Sequence, residues 1–177
     1  MPHIEIYWAT PAVFWPESEA WIAKHKQPLQ AQALAHGVSL NILSPIDTAL
    51  EQEAASAEAI FLSNVAMIKQ AQAVIADVSP FRSKEPDVGT ALKIGIATHM
   101  QKPVYLYSSS AHLSLQDAYQ SQMNAQGYVP FDGKPTQVED FGHPVNLMLV
   151  YDLNGNKRTV HDSLQDALTA CLQDWIQ

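Results

Sequence analysis

Tyr7, Asp77 and Asp87 are the side chains whose types and positions can carry chemistry in this sequence. Tyr7 lies in the apolar run Ile4-Glu5-Ile6-Tyr7-Trp8, Asp77 ends Ala73-Val74-Ile75-Ala76-Asp77, and Asp87 opens the stretch that follows. In an open parallel sheet, ligands bind beyond the carboxyl ends of the strands, so a phenol and two carboxylates there can converge on one pocket. Hydrogen bonding and proton transfer are their chemistry. Each residue also has a structural use. Asp77 can bond the backbone of the next loop, Asp87 can cap the helix it begins, and Tyr7 can be core. Trp8, Phe14, Trp15 and Trp21 crowd the first elements; most suit a core, and one at the rim can stack on a planar ligand.

Other chemistries find less support. The seven histidines, His3, His25, His36, His99, His112, His143 and His161, show no helical ligand spacing, so no metal site is expected. Ser108-Ser109-Ser110 lacks the glycine framework of a nucleophile elbow, and Gly89 with Gly95 does not match a dinucleotide or phosphate-loop fingerprint. No cofactor is implied. Arg82 or the serine run can meet a phosphate, with solvated loop residues as the plainer alternative.

These residues need elements to position them. Ile4 to Trp8 reads as a strand, and a helix runs from about Pro16 to Gly37, with Pro28 expected to bend or split it. Val38 to Leu43 is a second strand, and Leu50 to Gln70 is rich in helix formers. Ala73 to Asp77 has the continuous apolar character of a strand buried on both faces. Asp87 to Met100 is helical, and Val104 to Tyr107 is a strand. Ser108 to Gly142 is expected to be loop. Val150-Tyr151 and Thr159-Val160 flank the hairpin signal Asn154-Gly155, and Asp162-Ser163 begins a last helix to about Ile176. Alternating strands and helices with right-handed crossovers predict a three-layer α/β sandwich on a mostly parallel sheet. Residues 1–177 are expected to form a single domain.

Composition narrows the function classes. With 10 Lys+Arg against 18 Asp+Glu and a net charge of -8, no basic surface dominates a nucleic-acid backbone or an anionic membrane. The lone Cys171 excludes an intrachain disulfide and fits a reducing compartment, so a cytoplasmic location is expected. No run is apolar enough for a membrane span, and the start Met1-Pro2-His3-Ile4-Glu5 is unlike a signal peptide.

Several segments together resemble the nucleoside 2-deoxyribosyltransferase family. They are Ile6 to Phe14, Asn64 to Lys69, Ala73 to Arg82, Glu85 to Ala91 and Pro144 to Leu149, in the family's order. The resemblance implies a flavodoxin-like sheet and base exchange on 2'-deoxyribonucleosides by a retaining double displacement, through a covalent glycosyl-enzyme. It implies that Tyr7 orients the nucleophile, Asp77 binds the base or handles its proton, Asp87 holds the sugar hydroxyls, and Phe14 stacks on the base. Partners would be 2'-deoxynucleosides and free nucleobases. It also implies a homo-oligomer with shared active sites, in which Asn146 and Met148 complete a neighbour's pocket.

The chain departs from the family pattern where the nucleophile belongs. That pattern is Gly-Thr-x-x-Glu-x-Gly, and here Gly89-Thr90-Ala91-Leu92-Lys93-Ile94-Gly95 puts Lys93 in the Glu position. A lysine cannot form the glycosyl ester, and Asp77 and Asp87 are expected to raise its pKa and keep it charged. Three readings follow: a transferase scaffold with severely reduced transfer, a nucleoside- or nucleotide-binding protein without turnover, and an N-glycoside hydrolase using Glu85 or an activated water.

Overall fold

The computed structural model describes residues 1–47 and 56–176. In chain order its elements are β1 (His3–Ala9), α1 (Ser18–Ala35), β2 (Ser39–Leu43), α2 (Ala57–Gln70), β3 (Ala73–Asp77), α3 (Val88–His99), β4 (Val104–Tyr107), α4 (Leu115–Tyr119), β5 (Tyr128–Phe131), β6 (Lys134–Gln137), α5 (Leu147–Val150), β7 (Val160–His161) and α6 (Leu164–Ile176). Five strands form one sheet in the order β2-β1-β3-β4-β7, each pair parallel. This is the expected flavodoxin-like α/β arrangement.

Period-two alternation divides the core between the two sheet faces. Ile4, Ile6 and Trp8 of β1 and Ile75 of β3 pack with Ile22, Leu29 and Ala33 of α1 and Leu168 and Leu172 of α6. Tyr7 and Ala9, with Val74 and Ala76, face Met67 and Ile68 of α2 and Ile94 and Ala97 of α3. Three layers result. β1 and β3 lie side by side at the centre, with Ala9 opposite Ala76, which brings their carboxyl ends to one edge. Asp77 then sits beyond that pair, opposite Tyr107 of β4.

Three expectations change in detail, and a fourth is seen only in part. α1 continues through Pro28 as one helix, not two pieces. An interior proline costs about 3 kcal/mol. Ile22 and Leu29, one on each side of it, are fully buried and contribute about 1.5–3 kcal/mol each, enough to hold the helix together. Of the helical stretch expected over Leu50 to Gln70, Ala57–Gln70 is a helix capped by Ser56, and Leu50 to Ala55 lie outside the described residues. The stretch from Ser108 to Gly142 is not all loop: it contains α4 and the antiparallel β5–β6 hairpin. Asp132 and Gly133, both at positive φ (49° and 71°), make its two-residue turn. Near the end, the hairpin shrinks to a single antiparallel bridge between Tyr151 and Lys157, and Val160 pairs instead with Leu106 at the main sheet's edge.

Candidate active site

β1 positions Tyr7 from the α2/α3 side of the sheet. The ring is fully buried, and its hydroxyl donates to Asn64 Oδ1 at 2.6 Å. Asn64 is held in turn, since its Nδ2 donates to the Ile60 carbonyl one helical turn back at 2.8 Å. Burial, reinforced by the Asp47 carboxylate, pushes the phenol well above its usual range, so Tyr7 stays neutral and acts as a donor. Sequence reasoning missed Asn64 as this partner. Its place in the short run Asn64 to Lys69 was the available signal, because a buried tyrosine hydroxyl requires an acceptor.

Asp77 belongs to the other side of the same edge. Alternation carries it past Ile75 toward the α1/α6 layer, where the Tyr107 hydroxyl faces its carboxylate. Tyr107 accepts from Trp8 Nε1 at 2.9 Å, and Asp77 Oδ1 accepts from the Ser79 amide at 3.0 Å. The structural alternative for Asp77, bonding the next loop, is therefore realised. Burial nevertheless raises its pKa, only partly opposed by Ser79 and Tyr107. Such a carboxyl group can give a proton at a higher pH than an exposed aspartate can.

Asp87 caps α3. Its Oδ2 accepts from the Thr90 amide at 2.8 Å and from Thr90 Oγ1 at 3.2 Å. Such a cap is worth about 1 kcal/mol, and it also fixes the carboxylate at the start of the helix. Gly89 makes room for it: a Cβ there would lie 3.0 Å from Asp87 Oδ2. Lys93 follows on the same helix. It lies three residues after Thr90 and four before Ala97, both fully buried, so it belongs to the stripe facing the sheet. Burial pushes the Lys93 pKa down, and Asp87 offsets this only in part. The net direction is opposite to the sequence expectation, because the cost of desolvating the ammonium exceeds the attraction of one nearby carboxylate.

Phe14 stands at the rim in the short 3-10 turn after β1, 57% exposed, and stacks on Phe81 with centroids 5.8 Å apart. The Arg82 guanidinium covers both rings, 4.8 Å from Phe14 and 4.7 Å from Phe81. Arg82 adopts φ 58°, a left-handed backbone that costs on the order of 1 kcal/mol and that a cation–π contact of about 0.5–1 kcal/mol can offset.

Asn146 and Met148 lie elsewhere. Asn146 begins α5, its Oδ1 accepting from the Met148 amide at 3.0 Å and its Nδ2 donating to Glu139 Oε1 at 2.5 Å. Met148 is 76% exposed and lines a groove of about 600 Å³ along the outer face of α3, with Val88, Ala91 and Leu153. Among the described residues, that groove's lining contains none of Tyr7, Asp77, Asp87 or Lys93. Glu85 borders both this groove and a smaller pocket of about 270 Å³, where it faces Glu139 and Tyr119; burial first, then the charge of Glu139, raises its pKa. Among the described residues no cluster of His, Cys, Asp and Glu could hold a metal ion, and no helix is long and apolar enough to cross a membrane.

The architecture and the order of these residues can be compared with known proteins. The family profile described as nucleoside 2-deoxyribosyltransferase matches residues 6–148, a span that includes Tyr7, Asp77, Asp87, Lys93 and Asn146. The chain is similar to the solved 2-deoxyribosyltransferase of Leishmania mexicana, at 35% identity over 96% of this chain and 97% of that one, with a TM-score of 0.71. A conserved protein from Enterococcus faecalis V583 shares the fold, at 21% identity over 97% of this chain and 99% of that one, with a TM-score of 0.61. Comparison with curated protein sequences gave no match. A profile match across most of the chain, and 35% identity sustained over nearly its whole length, lead to one conclusion: this chain belongs to the nucleoside 2-deoxyribosyltransferase family.

Proposed function

We propose that the protein binds 2'-deoxynucleosides across the carboxyl edge of β1 and β3, on a transferase scaffold whose base exchange is severely reduced by Lys93. Supporting this reading, Asp87 caps α3 and Lys93 follows on it, on the face of the sheet that holds Tyr7 and Asn64, whereas Asp77 ends β3 and meets Tyr107 on the other face. We assign the first group to the sugar, and Asp77 with the exposed Phe14 to the base. A nucleoside laid across the edge puts its glycosidic bond between them. Asp87 receives the sugar hydroxyls, Phe14 stacks on the base, and Asp77 gives the departing base its proton.

The retaining route needs a carboxylate beneath C1' to form the glycosyl ester, and position 93 would supply it from the sheet-facing stripe of α3. Lysine offers no ester. In its charged form it also opposes the oxocarbenium-like centre, by about 4 kcal/mol for unit charges ~4 Å apart at an effective dielectric near 20. A hydrolytic role for Glu85 has less support, since the two pockets it borders include none of Tyr7, Asp77, Asp87 or Lys93 in their linings. Calorimetry with deoxyadenosine, deoxyinosine and thymidine tests the binding claim. Heat at millimolar ligand for at least one of them is expected, and silence for all three would remove the site assignment.

The exposed strip formed by Val88, Leu92, Met148 and Leu153 supports a second copy of the chain as its cover, with Asn146 and Met148 reaching a neighbour's pocket. Light scattering is expected to give at least a dimer; a species of 19.5 kDa at working concentration would contradict the shared-site arrangement. The buried Cys171 thiol, pushed up to about 12 by burial first and by Asp174, is poorly disposed to oxidation.

A further inference from the structure

We propose that the Lys93 amine is itself a nucleophile toward C1' of the bound 2'-deoxyribosyl group, so that the protein captures the sugar on nitrogen and releases the base. The proposal rests on the nucleoside reading above. Its geometry is that of α3: Lys93 shares the inward stripe with Thr90 and Ala97, while Leu92 beside it is exposed. That stripe follows the Asp87 cap and packs on the face of the sheet that holds Tyr7, so Lys93 belongs to the side assigned to the sugar. The Lys93 side chain is partly buried there, and that burial favours the uncharged amine more than Asp87 favours the ammonium. A desolvated lysine next to an electrophilic sugar carbon is the usual setting for an amine nucleophile.

The step balances without an oxidant or reductant. The Nζ lone pair forms a bond to C1' as the C1'–N glycosidic bond breaks, and that bond's electron pair leaves with the base. The base takes the proton of Asp77, which burial keeps protonated to a higher pH than usual. The alkylated ammonium then sheds a proton, which restores Asp77. Transfer of the remaining N–H proton to O4' opens the ring and leaves an imine between Nζ and C1'. Water adds to the imine and returns the free amine and 2-deoxyribose, so the net reaction is slow hydrolysis; a second base attacking the glycosylamine would give exchange.

The test incubates the full chain with deoxyinosine and sodium cyanoborohydride, which reduces an imine to a stable secondary amine. Intact mass and peptide mapping are expected to find one reduced deoxyribosyl group per chain, on Lys93, together with released hypoxanthine. Lys93→Arg keeps a cation but cannot form the imine, and should lose the adduct completely. Lys93→Gln provides a second variant, with thermal melts of both confirming that they fold. Calorimetry with deoxyinosine on the same preparation separates the two ideas. Bound nucleoside without an adduct would overturn the amine nucleophile and leave the binding reading standing, as would an adduct spread over exposed lysines such as Lys24 and Lys84 and unchanged in Lys93→Arg. No heat would remove the nucleoside site, and this proposal with it.

Discussion

Replacing Lys93 with glutamate is expected to raise base exchange from deoxyinosine to adenine by several powers of ten, read by chromatography with free sugar counted separately. The substitution puts a carboxylate on the stripe of α3 that faces the layer holding Tyr7, six residues after an Asp87 already fixed by Thr90. It also sets a negative charge opposite the developing sugar cation. Each tenfold gain corresponds to about 1.4 kcal/mol of barrier, so restoring a covalent route should exceed any change due to packing alone. Tight binding with no exchange in Lys93→Glu would favour a binding protein that does not turn over.

The second large effect concerns Asp77. In the Lys93→Glu background, Asp77→Asn should lower exchange by about a hundredfold to ten-thousandfold, the usual range for loss of a positioned proton donor. The pH dependence gives the sign. Burial raises the Asp77 pKa, so the proton-donating form persists above the usual aspartate range and is lost as pH rises through the raised value. Exchange should therefore fall on the alkaline side of that pKa, and this limb should vanish in Asp77→Asn. An unchanged rate with the limb intact would place the proton donor elsewhere.

Much of this arrangement was legible in the residues. Ala73 to Asp77 is a strand over those very residues, because an unbroken apolar run at the sheet's centre admits no other placement. Asp87 begins α3 because only a short polar side chain satisfies the first free amides of a helix. Other features depend on contacts between distant segments. The Tyr7 bond to Asn64 joins residues 57 apart in sequence, and periodicity says nothing about such a pair. The Lys93 pKa depends on how much burial surrounds the amine, whereas the sequence displays only its acidic neighbours, so the direction came out reversed. The β5–β6 hairpin was missed for another reason. Asp132-Gly133 is a sound turn signal, but its strands are short and mostly exposed, so no apolar alternation marks them.

Phe14 and Asn146 show how far a local reading reaches. The aromatic at the rim is where its place after β1 suggested, yet its stacking on Phe81 beneath Arg82 follows from a left-handed turn that no composition would reveal. Asn146 is held within its own chain by Glu139 and the Met148 amide, which use one N–H and one lone pair of its side chain. A role in a neighbour's pocket would use the remaining N–H and lone pair, on an amide whose orientation these bonds already fix.

If position 93 lies beneath C1' of a bound deoxynucleoside, a carboxylate there must take up the sugar. Rapid-quench mass spectrometry of Lys93→Glu mixed with deoxyinosine, in the absence of acceptor base, reads this step. A mass increase of one deoxyribosyl group is expected, mapped to the peptide containing position 93 and discharged when adenine is added. An unmodified chain at every quench time, while calorimetry shows the same protein holding the nucleoside, would contradict it.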